Sequence, residues 1–320
     1  MTTLAAGPAP AEPAAPAPLG AAALAARIAV PRRLPVRYDG QQLRHLSPSS
    51  YTRFVMCPED WRRHYLLGER FAPSGAMFLG RRVDDALTLY YRHVLERREP
   101  LTLEQLRDAY RDRWFEQLSA EDSARGVNWE SDLDEQRAFQ IGLDALALTL
   151  AELVPRLGEP VAVQRQLEYA LAPGLEWTVQ CHLDLETLRE DGKQIVPAVV
   201  DYKVKATPLT QARADHDAQA GLYLAGRWLE GDPAREFCFA QIAKPGPRRK
   251  QISASLVTTS RTDGQLRGML ARIAQAANQI VACHERYGPE RPWGFADPGG
   301  WKCSPRYCHH HRRCPGGAGL

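Results

Sequence analysis

The sequence predicts an α/β protein in which helices flank a mixed central sheet, with a helical N-terminal part and a cysteine-containing C-terminal segment. Three observations lead to this fold class. Apolar residues recur at helical spacing up to about residue 157. From about residue 159 they alternate with polar residues, as in half-buried strands. A helical stretch at 211–230 then separates two groups of strands, which is the arrangement of a crossover helix in a mixed sheet.

The bulk composition is that of a globular protein without a membrane-spanning stretch. Of the 320 residues, 44% are hydrophobic and 25% are charged, and the formal net charge of +3 permits nucleic acid as a partner without requiring it. No run approaches the roughly 18 apolar residues that a bilayer demands. Residues 1–40 are rich in alanine and proline, which predicts a disordered tail and argues against a secretory signal. We therefore expect a cytoplasmic protein.

Four helices are expected in the N-terminal part. The first begins at the serine hydroxyls within 47–50, which can cap a helix, and ends near Pro58, because proline cannot continue a helix. The second covers 80–98, where apolar side chains fall on one side. The third and fourth cover 102–118 and about 130–157.

The remaining chain is expected to supply the sheet and two more helices. A Pro-Gly turn at 173–174 joins the first two strands as a hairpin. The expected elements are, in order, strands 161–171, 175–188 and 194–205, a helix 211–230, strands 236–244 and 251–259, and a helix 262–287.

Three charged side chains lie on the second and third of these strands. Asp201 and Lys203 are two positions apart in the stretch VVDYKVK, so they share one face of a strand. Asp184 lies on the preceding strand, and antiparallel pairing can bring it across from Asp201. Two converging carboxylates repel each other and are costly to bury, and a divalent cation such as Mg²⁺ or Mn²⁺ relieves that cost. Lys203 would then polarise a water or stabilise charge on a phosphate.

The alternative is that Asp201 and Lys203 form an ordinary ion pair at a strand end. The D-x-K pattern alone favours this alternative, because short motifs have many false matches. The following helix adds a second signal. Gln219 and Tyr223 are four residues apart, so they lie on the same face of that helix.

The segments HLDLE, VVDYKVK and DAQAGLY together resemble the nuclease core of the PD-(D/E)xK superfamily, whose restriction-endonuclease-like fold is a mixed sheet flanked by helices. They are most similar to RecB/AddB-type nucleases and their CRISPR-associated iron–sulfur relatives. In that family an Asp, a second acidic residue and a Lys bind metal and activate water, and a Q-x-x-x-Y helix follows. The catalytic residues that the resemblance implies are Asp184, Asp201, Lys203, Gln219 and Tyr223.

The resemblance also implies further metal ligands. The main-chain carbonyl of Tyr202 is expected to be one of them. The stretch GRRVDDAL resembles a family helix that usually carries a metal-binding His, and the aligned residue here is Asp84. A carboxylate suits the oxygen-rich shell of a bound Mg²⁺. Two alternatives stay open: Asp84 is an ordinary solvated charge, or Asp85 is the functional residue instead. Cys181 is a second departure, because relatives often have Gly three residues before the first Asp.

Four of the seven cysteines are spaced like metal ligands. Cys303, Cys308 and Cys314 lie close together among Pro and Gly residues, where a turning backbone can bring thiolates onto one metal. Cys57, far away in sequence, is the natural fourth ligand. Spacing alone leaves zinc and an iron–sulfur cluster equally open, since the histidines at 309–311 are also zinc ligands. The family resemblance implies a structural 4Fe–4S cluster on these four cysteines.

The turn KPGPRRK concentrates positive charge at the tip of the second hairpin. Beside a phosphodiesterase site, such a cluster is expected to contact a nucleic-acid backbone without reading sequence. A solvated, solubilising turn is the alternative. The residues concerned are Lys244, Arg248, Arg249 and Lys250.

These observations divide the chain into four parts. They are a disordered tail at 1–40, an N-terminal helical part of a nuclease domain at 41–158, the nuclease core at 159–290 and a cysteine cluster segment at 291–320.

The leading hypothesis of function is a Mg²⁺- or Mn²⁺-dependent DNA nuclease, with exonuclease and endonuclease action both open. By resemblance it would act on DNA ends or single-stranded DNA in repair, recombination or CRISPR-type processing, beside a helicase or within such a complex. The alternative is a weak or inactive nuclease-fold module that binds DNA and holds a structural metal cluster.

Overall fold

The structure, a computed structural model, describes residues 29–96, 99–192, 194–232, 234–246 and 249–317. Most of the expected disordered tail, 1–28, lies outside the described residues. Residues 29–40 pack against the domain, because Leu34 is only 3% exposed and the indole N–H of Trp177 donates to the carbonyl of Pro31 at 2.8 Å. The structure thus corrects the expected end of the tail at residue 40.

The described residues form a mixed sheet of six strands in the order β1-β3-β4-β5-β6, with β2 paired to β3. The pairs β2–β3, β3–β4 and β5–β6 are antiparallel, whereas β1–β3 and β4–β5 are parallel. The predicted mixed sheet is therefore confirmed, apart from the short β1, which was not predicted. The strands are β1 His45–Leu46, β2 Glu159–Tyr169, β3 Thr178–Asp191, β4 Gln194–Lys205, β5 Glu236–Ala243 and β6 Ser253–Ser260.

The helices flank this sheet and agree with the predicted ones to within a few residues at most ends. Wider π-helical turns at Arg62–Leu66 and Thr149–Leu153 extend two of them, and a 3₁₀ turn lies at His311–Arg313. The α-helices of the described residues are α1 Pro48–Met56, α2 Pro58–Trp61, α3 Gly75–Leu95, α4 Leu103–Ala124, α5 Glu135–Leu148, α6 Val154–Leu157, α7 Gln211–Asp215, α8 Ala218–Leu229 and α9 Asp263–Tyr287.

Side-chain caps set the first two helix starts. Ser47 Oγ accepts the main-chain N–H of Ser50 at 3.2 Å and so begins α1. Cys57 Sγ accepts the N–H of Asp60 at 3.4 Å, and Pro58 occupies the first position of α2. The predicted stop after Cys57 is therefore confirmed, and that cysteine lies in the bend between two helices.

The predicted helix 211–230 is two helices in the structure. Asp217 Oδ1 accepts the N–H of Ala220 at 3.0 Å, and the extended backbone of Asp217 separates α7 from α8. A capped start of this kind interrupts the helical hydrogen bonds, so the crossover between β4 and β5 bends just before Gln219.

Two hydrophobic cores lie on opposite faces of the sheet. One holds α1, α2, α8 and α9, and the other holds α3, α4 and α5. Their large buried side chains include Trp61, Trp177, Phe237 and Leu270 in the first core, and Phe78, Trp114 and Leu146 in the second.

Among the described residues, one stretch, Glu135–Leu157, is long and apolar enough to cross a membrane by length and composition alone. Ala138, Leu146 and Leu153 within it have no exposed surface and belong to the second core. It is therefore accounted for as a core helix.

Strand β2 changes face within four residues. Val163 packs with the second core and Leu167 with the first, although regular alternation puts residues four apart on the same face. Between them lies Gln164, the one non-glycine residue with a positive φ, 51°, among the described residues. In β3, Leu183 and Leu185 also belong to opposite cores. Since Val163 pairs with Leu185, the two distortions face each other across the ladder.

The C-terminal segment is docked on α2. The indole rings of Trp293 and Trp61 stack with centroids 5.7 Å apart. The N–H of Trp293 donates to Glu59 Oε2 at 2.9 Å, and the N–H of Glu59 donates to the carbonyl of Gly294 at 3.0 Å. These contacts hold the chain before the late cysteines beside Cys57.

Candidate active site

Asp201 and Lys203 form a buried ion pair on β4. Asp201 is 1% exposed, and its Oδ1 accepts hydrogen bonds from Lys203 Nζ at 2.6 Å and from Gln219 Nε2 at 2.7 Å. Its Oδ2 is also 2.6 Å from Lys203 Nζ but has no hydrogen bond of acceptable geometry from any described residue. Oδ1 of this carboxylate thus accepts two hydrogen bonds, while the buried Oδ2 is in contact, among the described residues, with the Lys203 ammonium alone and accepts no hydrogen bond of good geometry.

Asp184 lies across from Asp201 at the end of the β3–β4 ladder. The ladder ends with the pair Leu185 and Val200, so Asp184 lies one position beyond it, opposite Asp201. Asp184 Oδ2 accepts the main-chain N–H of Tyr202 at 3.1 Å. Burial, followed by the charges of Asp201 and Asp84, raises the pKa of Asp184 well above its usual value. The structure therefore brings the two predicted carboxylates together.

Asp84 joins the same cluster from α3, which lies on the second-core face of the sheet, opposite the face that carries α8. Gln164 Nε2 donates to its two oxygens at 3.3 and 3.1 Å and to Thr88 Oγ1 at 3.0 Å. Burial raises the pKa of Asp84 to about 6, with smaller contributions from Asp85 and Asp201. Asp84 is therefore a member of the acidic cluster and not a solvated surface charge.

Asp85 has a different environment from Asp84. Its Oδ2 accepts Arg82 Nε at 2.9 Å and lies 3.7 Å from Arg113 Nε. A carboxylate that already pairs with guanidinium groups is a poorer ligand for a second cation, so between the two neighbours the geometry favours Asp84.

Lys203 is a cation at neutral pH. Burial by itself would lower the pKa of its ammonium, but the adjacent Asp201 carboxylate raises it above the usual value. Lys203 can therefore donate hydrogen bonds and stabilise negative charge, and it cannot serve as a base. Lys203 is the cation in contact with Asp201, and the raised pKa values of Asp84 and Asp184 indicate that its charge does not offset all three carboxylates.

Gln219 and Tyr223 orient the ion pair from α8. Besides its bond to Asp201, Gln219 Nε2 donates to Tyr223 Oη at 3.1 Å. Tyr223 is buried in the first core. The predicted pair thus contacts the predicted strand residues, with Gln219 as the link. Tyr202 lies between Asp201 and Lys203, and its carbonyl as a metal ligand stays a prediction.

Two openings approach this cluster, and they differ in charge. A cavity of about 540 Å³ on the Asp84 side has more acidic than basic side chains: Asp84, Asp85, Asp112 and Glu116 against Arg92 and Arg113. A cleft of about 820 Å³ on the Gln219 side is basic, with Arg53, Arg213 and Lys302 against Asp217. Arg53 and Lys302 pair with Asp60, which leaves Arg213 as the exposed cation of this lining. A polyanion therefore fits the second opening better than the first.

The four predicted cysteine ligands line one small apolar cavity, together with Asp60, Phe295 and His311. Burial raises the pKa of the Cys57 thiol, and burial likewise raises that of Cys308. In the described part of the chain, however, no group of three or more His, Cys, Asp or Glu side chains could hold a metal ion as it stands. The arrangement thus brings the thiols to one place without forming a finished ligand cage.

The three histidines beside Cys308 lie in three environments. His309 stacks on Phe71 with centroids 4.6 Å apart, His310 is buried between Glu69 and Asp60, and His311 lines the cysteine cavity. Of the three, His311 is therefore the one placed to complete a zinc site.

The predicted basic turn is not a single exposed cluster. Lys244 is buried and faces Glu130 and Asp132, and burial lowers the pKa of its ammonium. Arg249 Nη1 donates to the carbonyl of Ala206, and Arg248 lies outside the described residues. The prediction was wrong for Lys244, because its place after β5 points it into the domain.

Two functional residues were missed from the sequence. Gln164 gave no local signal, because its contact with Asp84 crosses 80 positions. Asp60 gave only a weak one, its place after the Cys-Pro pair. It accepts hydrogen bonds from Arg53 Nη1 at 3.0 Å on both oxygens and lies 3.1 Å from Lys302 Nζ. It thus joins α1 to the cysteine segment.

The mixed sheet, with carboxylates and a protonated lysine on adjacent strands, agrees with an α/β fold of the nuclease class. The sequence profile of the PD-(D/E)XK nuclease superfamily matches residues 45–315, and the chain belongs to this superfamily. Its members generally use divalent Mg²⁺ or Mn²⁺.

Two solved structures are similar to this chain. A candidate exonuclease from Eubacterium rectale shares 15% identity, covering 82% of this chain and 86% of that one with a TM-score of 0.48. The protein SSO0001 shares 14% identity, covering 73% of this chain and 85% of that one with a TM-score of 0.30. No curated protein matches the sequence.

Proposed function

We propose that this protein is a metal-dependent DNA nuclease that hydrolyses phosphodiester bonds at the Asp201 cluster. The observation that carries the proposal is the state of the Asp201 carboxylate. Its Oδ1 is engaged by Lys203 and Gln219, while its buried Oδ2 has no hydrogen bond from any described residue. Among the described residues, its one partner is the Lys203 ammonium at 2.6 Å, so this buried oxygen keeps unused acceptor capacity that a bound cation would satisfy.

The donor types suit a hard divalent cation, although among the described residues the carboxylates, like the thiols, do not form a finished ligand cage. Asp84, Asp184 and Asp201 would hold Mg²⁺ or Mn²⁺ through carboxylate oxygens, with the Tyr202 carbonyl as a further ligand. The raised pKa values of Asp84 and Asp184 are the electrostatic counterpart, because these groups resist ionising until positive charge arrives. When bound, such a cation lowers the pKa of water and neutralises charge on a phosphate.

The chain's own residues supply the rest of the chemistry. Lys203, a permanent cation at neutral pH, would donate to a non-bridging phosphate oxygen as negative charge grows there. Gln219 would hold Oδ1 of Asp201 so that Oδ2 faces the ligand, and Tyr223 would fix the amide of Gln219. Gln164 would do the same for Asp84.

The cysteine cavity supports a second part of the proposal, a structural metal centre. Four thiols around one cavity form the donor set of either a 4Fe–4S cluster or a zinc site. The proposed occupant is the 4Fe–4S cluster, held by Cys57, Cys303, Cys308 and Cys314. It would link the bend between α1 and α2 to the C-terminal segment. Anaerobically purified protein should be brown, with visible absorption that bleaches on reduction. If metal analysis finds only zinc, the occupant is a zinc ion and not the cluster.

Cleavage of end-labelled DNA tests the nuclease. Anaerobically prepared protein is incubated with single-stranded and duplex DNA and Mn²⁺, and Asp201→Ala and Lys203→Ala should abolish cleavage while the circular dichroism spectrum stays unchanged. Asp85→Asn is the matched control, because Asp85 pairs with arginines outside the cluster. Release of mononucleotides or of longer fragments would separate exonuclease from endonuclease action.

The second candidate function is a DNA-binding module without cleavage. Asp84 favours it, since the related helix usually carries a His there. If wild type binds DNA but never cuts it with Mg²⁺, Mn²⁺ or Co²⁺, this function replaces the first. The proposed setting is cytoplasmic, and the proposed partners are DNA ends or single strands and a strand-separating helicase in a repair or CRISPR-type complex.

A further inference from the structure

The C-terminal clasp, defined as residues 298–314, carries positive charge that no acid within it balances. It contains no Asp or Glu, and the exposed Arg306, Arg312 and Arg313 make no ion pair with any described residue. Exposed, unpaired arginines contribute little to folding stability. Their concentration beside the cysteine cavity indicates a surface that meets an anion.

Two exposed aromatic rings lie in the same clasp. Trp301 is 60% exposed and Tyr307 is 48% exposed, with ring centroids 5.3 Å apart at 86°. The guanidinium of Arg306 lies 5.4 Å from the centroid of the Tyr307 ring. Proteins that bind single-stranded nucleic acid combine such rings, on which bases stack, with cations that hold the backbone.

The clasp is continuous with the basic cleft. Lys302, the neighbour of Trp301, lines the cleft that also contains Gln219 and Tyr223. Arg213 adds an exposed cation to that lining. Asp217, the acid there, caps α8, so its charge is partly taken up by the helix. A strand lying on the clasp therefore has a route along this cleft to Gln219, whose amide contacts Asp201.

The burial of the cluster favours a single strand over a duplex. Asp201 is 1% exposed, and the Lys203 side chain is 24% exposed. The phosphates of a duplex stay on a rigid cylinder, whereas a single strand bends into a cleft. Stacking on aromatic side chains also requires unpaired bases.

We propose that the clasp is a single-strand-binding platform. Unpaired bases stack on Trp301 and Tyr307, Arg306 and Arg213 bind the phosphates, and the strand continues through the basic cleft to the Asp201 cluster. The inference deepens the proposed nuclease function and rests on it for the direction of the strand.

Binding in the absence of cleavage tests the platform. The full chain, with no added divalent cation, is titrated into fluorescein-labelled dT20, and anisotropy gives the dissociation constant. Trp301→Ala and Tyr307→Ala should each weaken binding by about 5- to 100-fold, the range that base stacking gives. Trp301→Phe should keep most of the affinity. Phe115→Ala is the matched control, because Phe115 is an equally exposed aromatic on α4, on the other face of the sheet, and it should change nothing.

The substrates and spectra separate the remaining outcomes. A duplex of the same length, or an abasic strand, should bind more weakly than dT20, because neither offers bases for stacking. For the same reason Trp301→Ala should reduce the affinity for these two ligands less than it reduces the affinity for dT20. Quenching of tryptophan fluorescence by dT20 should be smaller in Trp301→Phe, which provides a second readout if an alanine variant unfolds.

Equal affinity of wild type and Trp301→Ala for dT20 would overturn the platform, as would equal losses on single strand and duplex. A clasp that binds no nucleic acid would instead be a protein-docking surface. The binding assay contains no cleavage, so failure of the platform and failure of the nuclease are read separately.

Discussion

The amide of Gln164 donates to both carboxylate oxygens of Asp84, at 3.3 and 3.1 Å, across 80 positions of sequence. Gln164 occupies a left-handed conformation with φ of 51° at the point where β2 changes face. Strain of this kind persists where the surrounding structure requires it, and it accumulates at functional sites. The backbone distortion of β2 at Gln164 therefore places the side chain that orients Asp84, an acid of the candidate metal site.

Two substitutions at Gln164 separate its side chain from its backbone. Gln164→Gly and Gln164→Ala both remove the amide donor, but only glycine adopts a positive φ without cost. The glycine variant should be more stable than the alanine variant by about 1 kcal/mol in urea unfolding, and both should bind Mn²⁺ more weakly than wild type. Equal stabilities would show that the backbone there is unstrained.

The stability of the metal-free protein should depend on pH through Asp84. Its pKa is raised to about 6 in the fold, whereas the usual value is 3.8. The stabilisation that comes from protonated Asp84 in the fold is thus fully present below pH 3.8 and is lost as the pH rises through 6. The free energy of unfolding of Asp84→Asn, relative to that of wild type, should therefore rise by roughly 2 kcal/mol between pH 4 and pH 7. With added Mn²⁺, wild type should be the more stable of the two. A stability difference that does not vary with pH would place Asp84 outside the acidic cluster.

Lys203 should matter more for chemistry than for binding. Lys203→Ala should reduce cleavage by at least about 100-fold, as loss of a charge-stabilising donor does, while the affinity for uncleaved single strands changes little. The same variant should melt earlier without metal, because Asp201 loses its buried partner, and should recover with Mn²⁺. Activity within tenfold of wild type would remove Lys203 from the mechanism.

Asp60 should control the docking of the clasp. It is 6% exposed and contacts Arg53 and Lys302, and although burial by itself would raise its pKa, these cations lower it. Asp60→Asn should cost about 3 kcal/mol and should make the chain after residue 290 sensitive to trypsin. Asp108→Asn, which breaks an exposed pair with Arg111, should cost less than about 0.5 kcal/mol. Equal effects of the two would mean that the buried network is not structural.

The central strands and their acidic pair were predictable because their signal is local. Alternation fixed β3 and β4, and the antiparallel register that follows from the short turn between them puts Asp184 across from Asp201. Helical spacing put Gln219 and Tyr223 on one face of a helix, and the family resemblance implied their place in the site. The convergence of the four cysteines on one cavity was likewise predicted from their spacing and the family resemblance.

Long-range features were beyond the sequence. The positive φ of Gln164 reflects packing between β2 and α3, which no neighbouring residue encodes. The position of Lys244 beside Glu130 depends on how β5 meets a loop more than 100 residues earlier. The break before α8 was visible only as an Asp inside a helical pattern, where capping overrides periodicity.

Manganese binding measured by electron paramagnetic resonance shows whether one divalent cation is shared by carboxylates of β3, β4 and α3. Wild type should bind one Mn²⁺ that Mg²⁺ displaces. Asp184→Asn and Asp201→Asn should each weaken that site by more than about tenfold, while Asp85→Asn leaves it unchanged. If wild type binds no Mn²⁺, or if Asp201→Asn binds it as tightly as wild type, these carboxylates do not form a shared cation site.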